Sequence, residues 1–98
     1  MDLARAKARK LVKKFKARSV DELAFLMGVD VVITSIGTFA AKQGDYGVIS
    51  IMIDEDDRKV AELLGHFVLN HFERNLPYED RKKESKAFAD ELLKLLGA

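Results

Sequence analysis

The chain has no cysteine, so it can build neither a disulfide framework nor a thiolate metal site. It has no apolar run near the ~20 residues that a membrane-spanning helix needs. Its N-terminus is too charged to read as a secretory signal. The expected location is therefore the cytoplasm. No glycine-rich phosphate loop is present: Gly37, Gly44 and Gly47 are spaced as hairpin punctuation rather than as a cradle before a helix. Thr34, Ser35 and Ser50 have no histidine and acid at a spacing suited to nucleophilic catalysis. The single proline, Pro77, marks one helix break, and no repeat, linker or low-complexity segment appears.

Charge is plentiful. The 98 residues carry 17 basic and 16 acidic groups, a net of +1. Their placement is uneven. Residues 1–18 hold eight basic groups against Asp2, a net of +7, whereas residues 19–98 hold nine basic and fifteen acidic groups, a net of −6. Ninety-eight residues make one domain with a single small core, and residues 1–98 are read as that domain.

Residues 3–18 are predicted to be helical, with Ala4, Ala8, Leu11, Val12 and Phe15 as the apolar stripe. A basic helix of this kind suggests nucleic-acid contact through residues 5–18. The plainer reading is a solvated face that complements the acidic remainder, and the missing aromatic and glycine-rich elements favour it. Ser19-Val20-Asp21-Glu22 has the form of a capping box and opens a short helix over 19–27, which Gly28 can end. Residues 29–36 are β-branched and read as a strand. A second strand is expected over 38–42 and a third over 47–53, with Gln43-Gly44-Asp45 as the turn. The cluster Asp54-Glu55-Asp56-Asp57 suits a helix N-terminus and lacks calcium-loop spacing.

A long helix is predicted over 58–75. Val60, Leu63, Leu64, Phe67, Val68 and Phe72 share one face, while Glu62, His66 and Asn70 lie on the other. His71 follows His66 by five residues, about 140° round a regular helix. The two imidazoles could not then share a metal. His71 reads as a core histidine with one hydrogen bond, unless the helix rearranges near Asn70. The last helix is predicted over 80–96, with Ala87, Phe88, Leu92, Leu95 and Leu96 inward. The order α-α-β-β-β-α-α makes an α+β domain: two helices, a small three-stranded sheet, then two more helices.

One constellation carries chemistry. The zinc-peptidase signature His-Glu-x-x-His sets two imidazoles one helical turn apart, with the glutamate as general base. This chain has Glu62-Leu63-Leu64-Gly65-His66. The second imidazole is kept, the first is a glutamate, and Leu63 stands at the general-base position. Downstream lies Glu84-Ser85-Lys86-Ala87-Phe88-Ala89-Asp90-Glu91-Leu92-Leu93. The pair of helices resembles the ImmA/IrrE family of metallopeptidase-like domains. That family joins an Ala-His-Glu-Leu-Gly-His helix to a later Glu-x-x-x-Phe-Ala-x-x-Leu-Leu helix. The upstream order of elements is also similar.

The resemblance implies a minimal zincin-like fold and puts Glu84 where the family's third zinc ligand sits. Glu62, His66 and Glu84 are then the candidate metal ligands, for zinc or for a harder divalent transition ion. The aliphatic Leu63 argues for a decayed centre with no catalytic residue and no resident cofactor. The plain alternative for Glu62 and His66 is an (i, i+4) hydrogen bond on a solvated face, worth about 0.3 kcal/mol. Glu84 edges the buried stripe, and burying an unpaired carboxylate costs several kcal/mol. It must meet a basic residue, His66 or an ion. The function implied is a non-catalytic protein-binding or regulatory module whose partner is a transcriptional regulator or a second copy of the chain. The alternatives are a divergent metal-dependent hydrolase and a nucleic-acid-associated domain.

Overall fold

The computed structural model describes residues 2–97. It is an α+β domain in the order α1 (Asp2–Phe15), α2 (Val20–Leu26), β1 (Val29–Ile33), β2 (Phe39–Gln43), β3 (Tyr46–Ile51), α3 (Asp57–Val68) and α4 (Tyr78–Leu95). Among the described residues no helix is long and apolar enough to cross a membrane.

Local signals set most of the boundaries. The Ser19 side chain accepts from the Glu22 N–H at 3.1 Å, and Glu22 reaches back to the Arg18 N–H at 2.8 Å. Two unpaired donors at the start of α2 are thereby satisfied. Gly28, at φ +79°, ends α2. Asp56 from the acidic cluster caps α3 by accepting from the Lys59 N–H at 3.2 Å. Gln43 pairs with Tyr46 across the two-residue loop Gly44-Asp45, where Gly44 takes φ +60°.

β3 is the central strand of the sheet, antiparallel to β2 and parallel to β1. Alternation along β3 sends Ile49 into the core. Ser50 is buried as well. Its hydroxyl donates to the Gly37 carbonyl at 2.7 Å and meets Thr34 Oγ1 at 2.6 Å, so it crosses into the core edge without an unpaired polar atom.

The helices form the other layer. α4 packs on both α3 and α1, and α3 on the sheet. Ala4 and Ala8 are the fully covered positions of α1, small enough to bring that helix close to α4. Val60, Ala61 and Leu64 of α3 and Phe88, Ala89 and Leu92 of α4 complete the core. A close approach occurs at Gly65, where a Cβ would stand 3.2 Å from the Phe88 ring and 3.4 Å from the Ser85 Cα.

α3 is shorter than the predicted 58–75 helix. It ends at Val68. Asn70 takes φ +59°, its N–H donates to the Phe67 carbonyl at 3.2 Å, and the His71 N–H donates to the His66 carbonyl at 2.9 Å. These two bonds are those of a Schellman turn, and asparagine tolerates the left-handed conformation it requires. Phe72, expected in the buried stripe, is consequently exposed.

Gly47 offers a test of how α3 sits on the sheet. A Cβ there would fall 2.6 Å from Phe67 Cε1, and the ring is backed by Phe72 at 4.9 Å between centroids. Gly47→Ala should cost about 1–3 kcal/mol through overpacking. Pairing it with Phe67→Leu should recover part of that loss in a urea titration. An unchanged midpoint in Gly47→Ala would contradict the packing described.

Candidate functional site

The turn at Asn70 places two imidazoles together. His66 lies four residues before the left-handed Asn70 and His71 one after it, the positions that often share a hydrophobic contact in this motif. Here they share a hydrogen bond: His66 Nδ1 and His71 Nδ1 are 2.8 Å apart, with ring centroids at 5.0 Å. The regular-helix premise that held them about 140° apart does not apply past Val68. His71 is buried, as expected, but makes two hydrogen bonds rather than one. Its Nε2 lies 2.8 Å from Glu84 Oε1.

Glu84 also meets a guanidinium. Arg74 Nη1 donates to Oε1 and Nη2 to Oε2, both at 3.0 Å, in the bidentate geometry that suits this pair. Nη1 further donates to the Leu69 carbonyl at 2.8 Å. Arg74 thus ties the end of α3 to the carboxylate on α4. The partner that an edge-of-core Glu84 required is this arginine together with His71.

Proton placement follows from the donor inventory. An ionised carboxylate only accepts, so His71 carries a proton on Nε2. With both rings neutral, His71 Nδ1 is then the acceptor and His66 Nδ1–H the donor. Ser85 Oγ lies 3.3 Å from the same His66 nitrogen. His66 Nε2 keeps its lone pair and makes no hydrogen bond among the described residues.

The two ends of this chain titrate abnormally. Burial above all, with the positive charges of Arg81 and Lys59 nearby, pushes His66 down to about 4 from 6.5. Burial alone would raise the Glu84 carboxyl, but hydrogen bonds from Arg74 and His71 outweigh it and hold the group below its usual value.

The other expected ligand stands apart. The Glu62 carboxylate is paired with Arg58 Nε at 3.2 Å and Lys59 Nζ at 3.6 Å. Glu62 and Glu84 are thus each paired with cations, Glu62 with Lys59 and with Arg58, which also meets Asp90 at 2.6 Å, and Glu84 with Arg74. Among the described residues no three carboxylate, imidazole or thiol side chains form a group that could hold a metal ion.

Between α3 and the first half of α4 lies a cleft of about 410 Å³. Leu63, His66 and Tyr78 line it, with Lys59, Arg81, Lys82 and Lys86 around them. A cluster of basic residues begins at Arg81. Its approach to Lys59 and His66 depends on helix packing and left no local signal. Arg74 left a weak one, the need of Glu84 for a partner. The eight cations of residues 5–18, six of them on α1, are all exposed. Only Arg9 and Arg18 have a carboxylate within 4.0 Å among the described residues.

No family model matches the chain, nor does any curated protein or solved structure.

The protonation scheme fixes a pH dependence. Between pH 6.5 and about 4 the unfolded chain binds a proton at residue 66 that the folded chain refuses. Stability from this group is full above pH 6.5 and is lost as pH falls toward 4. The contribution of Glu84 has the same sign and is lost at still lower pH, through its depressed folded value. Urea midpoints should therefore decline on acidification from pH 6.5, and His66→Gln should flatten the upper part of that decline. A profile unaltered by this substitution would contradict the assignment.

Proposed function

We propose that this domain is a degenerate relative of the ImmA/IrrE metallopeptidases that binds a protein partner in the cleft between α3 and α4. The observation that carries the reading is the pairing of Glu84 with Arg74. Where the resemblance puts the family's third ligand, Glu84 has a guanidinium as its countercharge. Leu63, at the general-base position, lines the cleft and cannot accept a proton. A positioned general base contributes about 10²–10⁴ in rate, so losing it together with the first imidazole removes both halves of the peptidase device. What is left is a concave site with polar groups around an aliphatic and phenolic floor, suited to recognition. A transcriptional regulator is the partner class the resemblance implies.

Elemental analysis after purification tests this. The expected result is well under one transition metal per chain and no metal-dependent cleavage of peptides. One bound metal per chain, lost in His66→Ala, with cleavage abolished by Glu84→Ala, would establish the divergent hydrolase instead.

The exposed cations of α1 favour one second reading, nucleic-acid contact. It requires affinity that falls steeply with salt and a large loss when Lys10, Lys13 and Lys14 are neutralised together. Under the protein-binding reading, that triple substitution leaves partner affinity unchanged.

A further inference from the structure

The cleft has a sign. Lys59 is shared with Glu62, but Arg81, Lys82 and Lys86 have no carboxylate within 4.0 Å among the described residues. Lys82 and Lys86 are one helical turn apart on α4, and with Arg81 they line the cleft. Arg81 is not spread into solvent. Its guanidinium lies over the Tyr78 ring, 5.9 Å from the centroid. Its Nε is buried without a hydrogen-bond partner, the one buried side-chain nitrogen or oxygen so left among the described residues. An unmet buried donor of this kind costs about 1–3 kcal/mol, and an incoming acceptor would recover it. Beside these groups stand an aliphatic side chain, Leu63, and a phenol, Tyr78. His66 lines the same cleft with Nε2 as a bare acceptor.

We infer that the cleft binds an acidic peptide segment of a protein partner, with its carboxylates on Arg81, Lys82 and Lys86 and its apolar atoms on Leu63 and Tyr78. The inference deepens the protein-binding reading and rests on it. Charge complementarity selects the class: three unpaired cations against the one carboxylate of Glu62, itself neutralised twice. A volume of about 410 Å³ lies within the usual range of ligand sites and accepts one or two side chains. Single-stranded nucleic acid would need a longer basic groove with stacking aromatics, and here only Tyr78 is offered. The unprotonated His66 nitrogen suits a ligand that also brings an N–H, as a peptide backbone does.

The experiment is an NMR titration of the intact chain with N-acetyl-Glu-Leu-Glu-amide, against N-acetyl-Gln-Leu-Gln-amide, inorganic phosphate and a single-stranded oligonucleotide. The expected result is shifts at His66 and Tyr78 with the acidic peptide, at least tenfold tighter than with the neutral one, weakening with added salt. Arg81→Gln should weaken it by about tenfold or more, as loss of a charge-assisted bond does. Lys82 and Lys86 are exposed, so Lys82→Gln/Lys86→Gln should weaken it similarly without disturbing the fold. Lys10→Gln/Lys13→Gln removes as much charge from α1 and should change nothing. Equal binding of both peptides would overturn the acidic-segment inference and leave protein binding standing. Binding of the oligonucleotide or of phosphate at these cations, without the acidic peptide, would overturn it, as would no binding of any probe.

Discussion

The site depends on where α3 stops. Had the helix run on past Val68, His71 would sit on a different side of it from His66, and Glu84 would face the core edge with no imidazole to meet. The left-handed Asn70 turns the chain back within one residue. That reversal delivers His71 to His66 and Arg74 to Glu84. The bonds that follow, from imidazole to imidazole to carboxylate to guanidinium, join the end of α3 to the middle of α4. Gly65 supports them from within the helix, because the close passage of α3 over Phe88 and Ser85 leaves no room to spare for a Cβ.

The electrostatics of the network are those of a carboxylate satisfied by its neighbours. A carboxylate at the edge of a core must be ionised against a partner or give up its charge. Arg74 provides a full positive charge in fork geometry, and His71 adds a donor. Glu62 is likewise committed to Arg58 and Lys59. Both acids are thus held by cations. The remaining positive charge collects in the cleft, where Arg81, Lys82 and Lys86 of α4 stand beside Leu63 of α3.

Much of the fold was legible in residues that act locally. Ser19 and Gly28 bracket α2, Gly44 marks the hairpin, the acidic cluster supplies Asp56 as a cap, and the 3.6-residue stripes locate α3 and α4. The α+β class followed from their order. The parallel pairing of β1 with β3 did not, since it joins segments that sequence patterns treat independently. The end of α3 was missed because the apolar stripe continues through Phe72 and no glycine or proline stands between Gly65 and Pro77. The available signal was Asn70 flanked by histidines at the two positions a Schellman turn brings together. His66 and Glu84 were recognisable as candidates by spacing. Arg74 and the cationic cleft were not, because they arise only when two helices pack.

The organising claim is the proton order set by this turn, and ring ¹⁵N chemical shifts of the two histidines at pH 7.5 read it directly. In metal-free protein the network requires His66 protonated at Nδ1 with a bare Nε2, and His71 protonated at Nε2 with Nδ1 accepting. Two rings with solvent-like shifts, each carrying its proton on Nε2 and showing no slowed exchange, would contradict it.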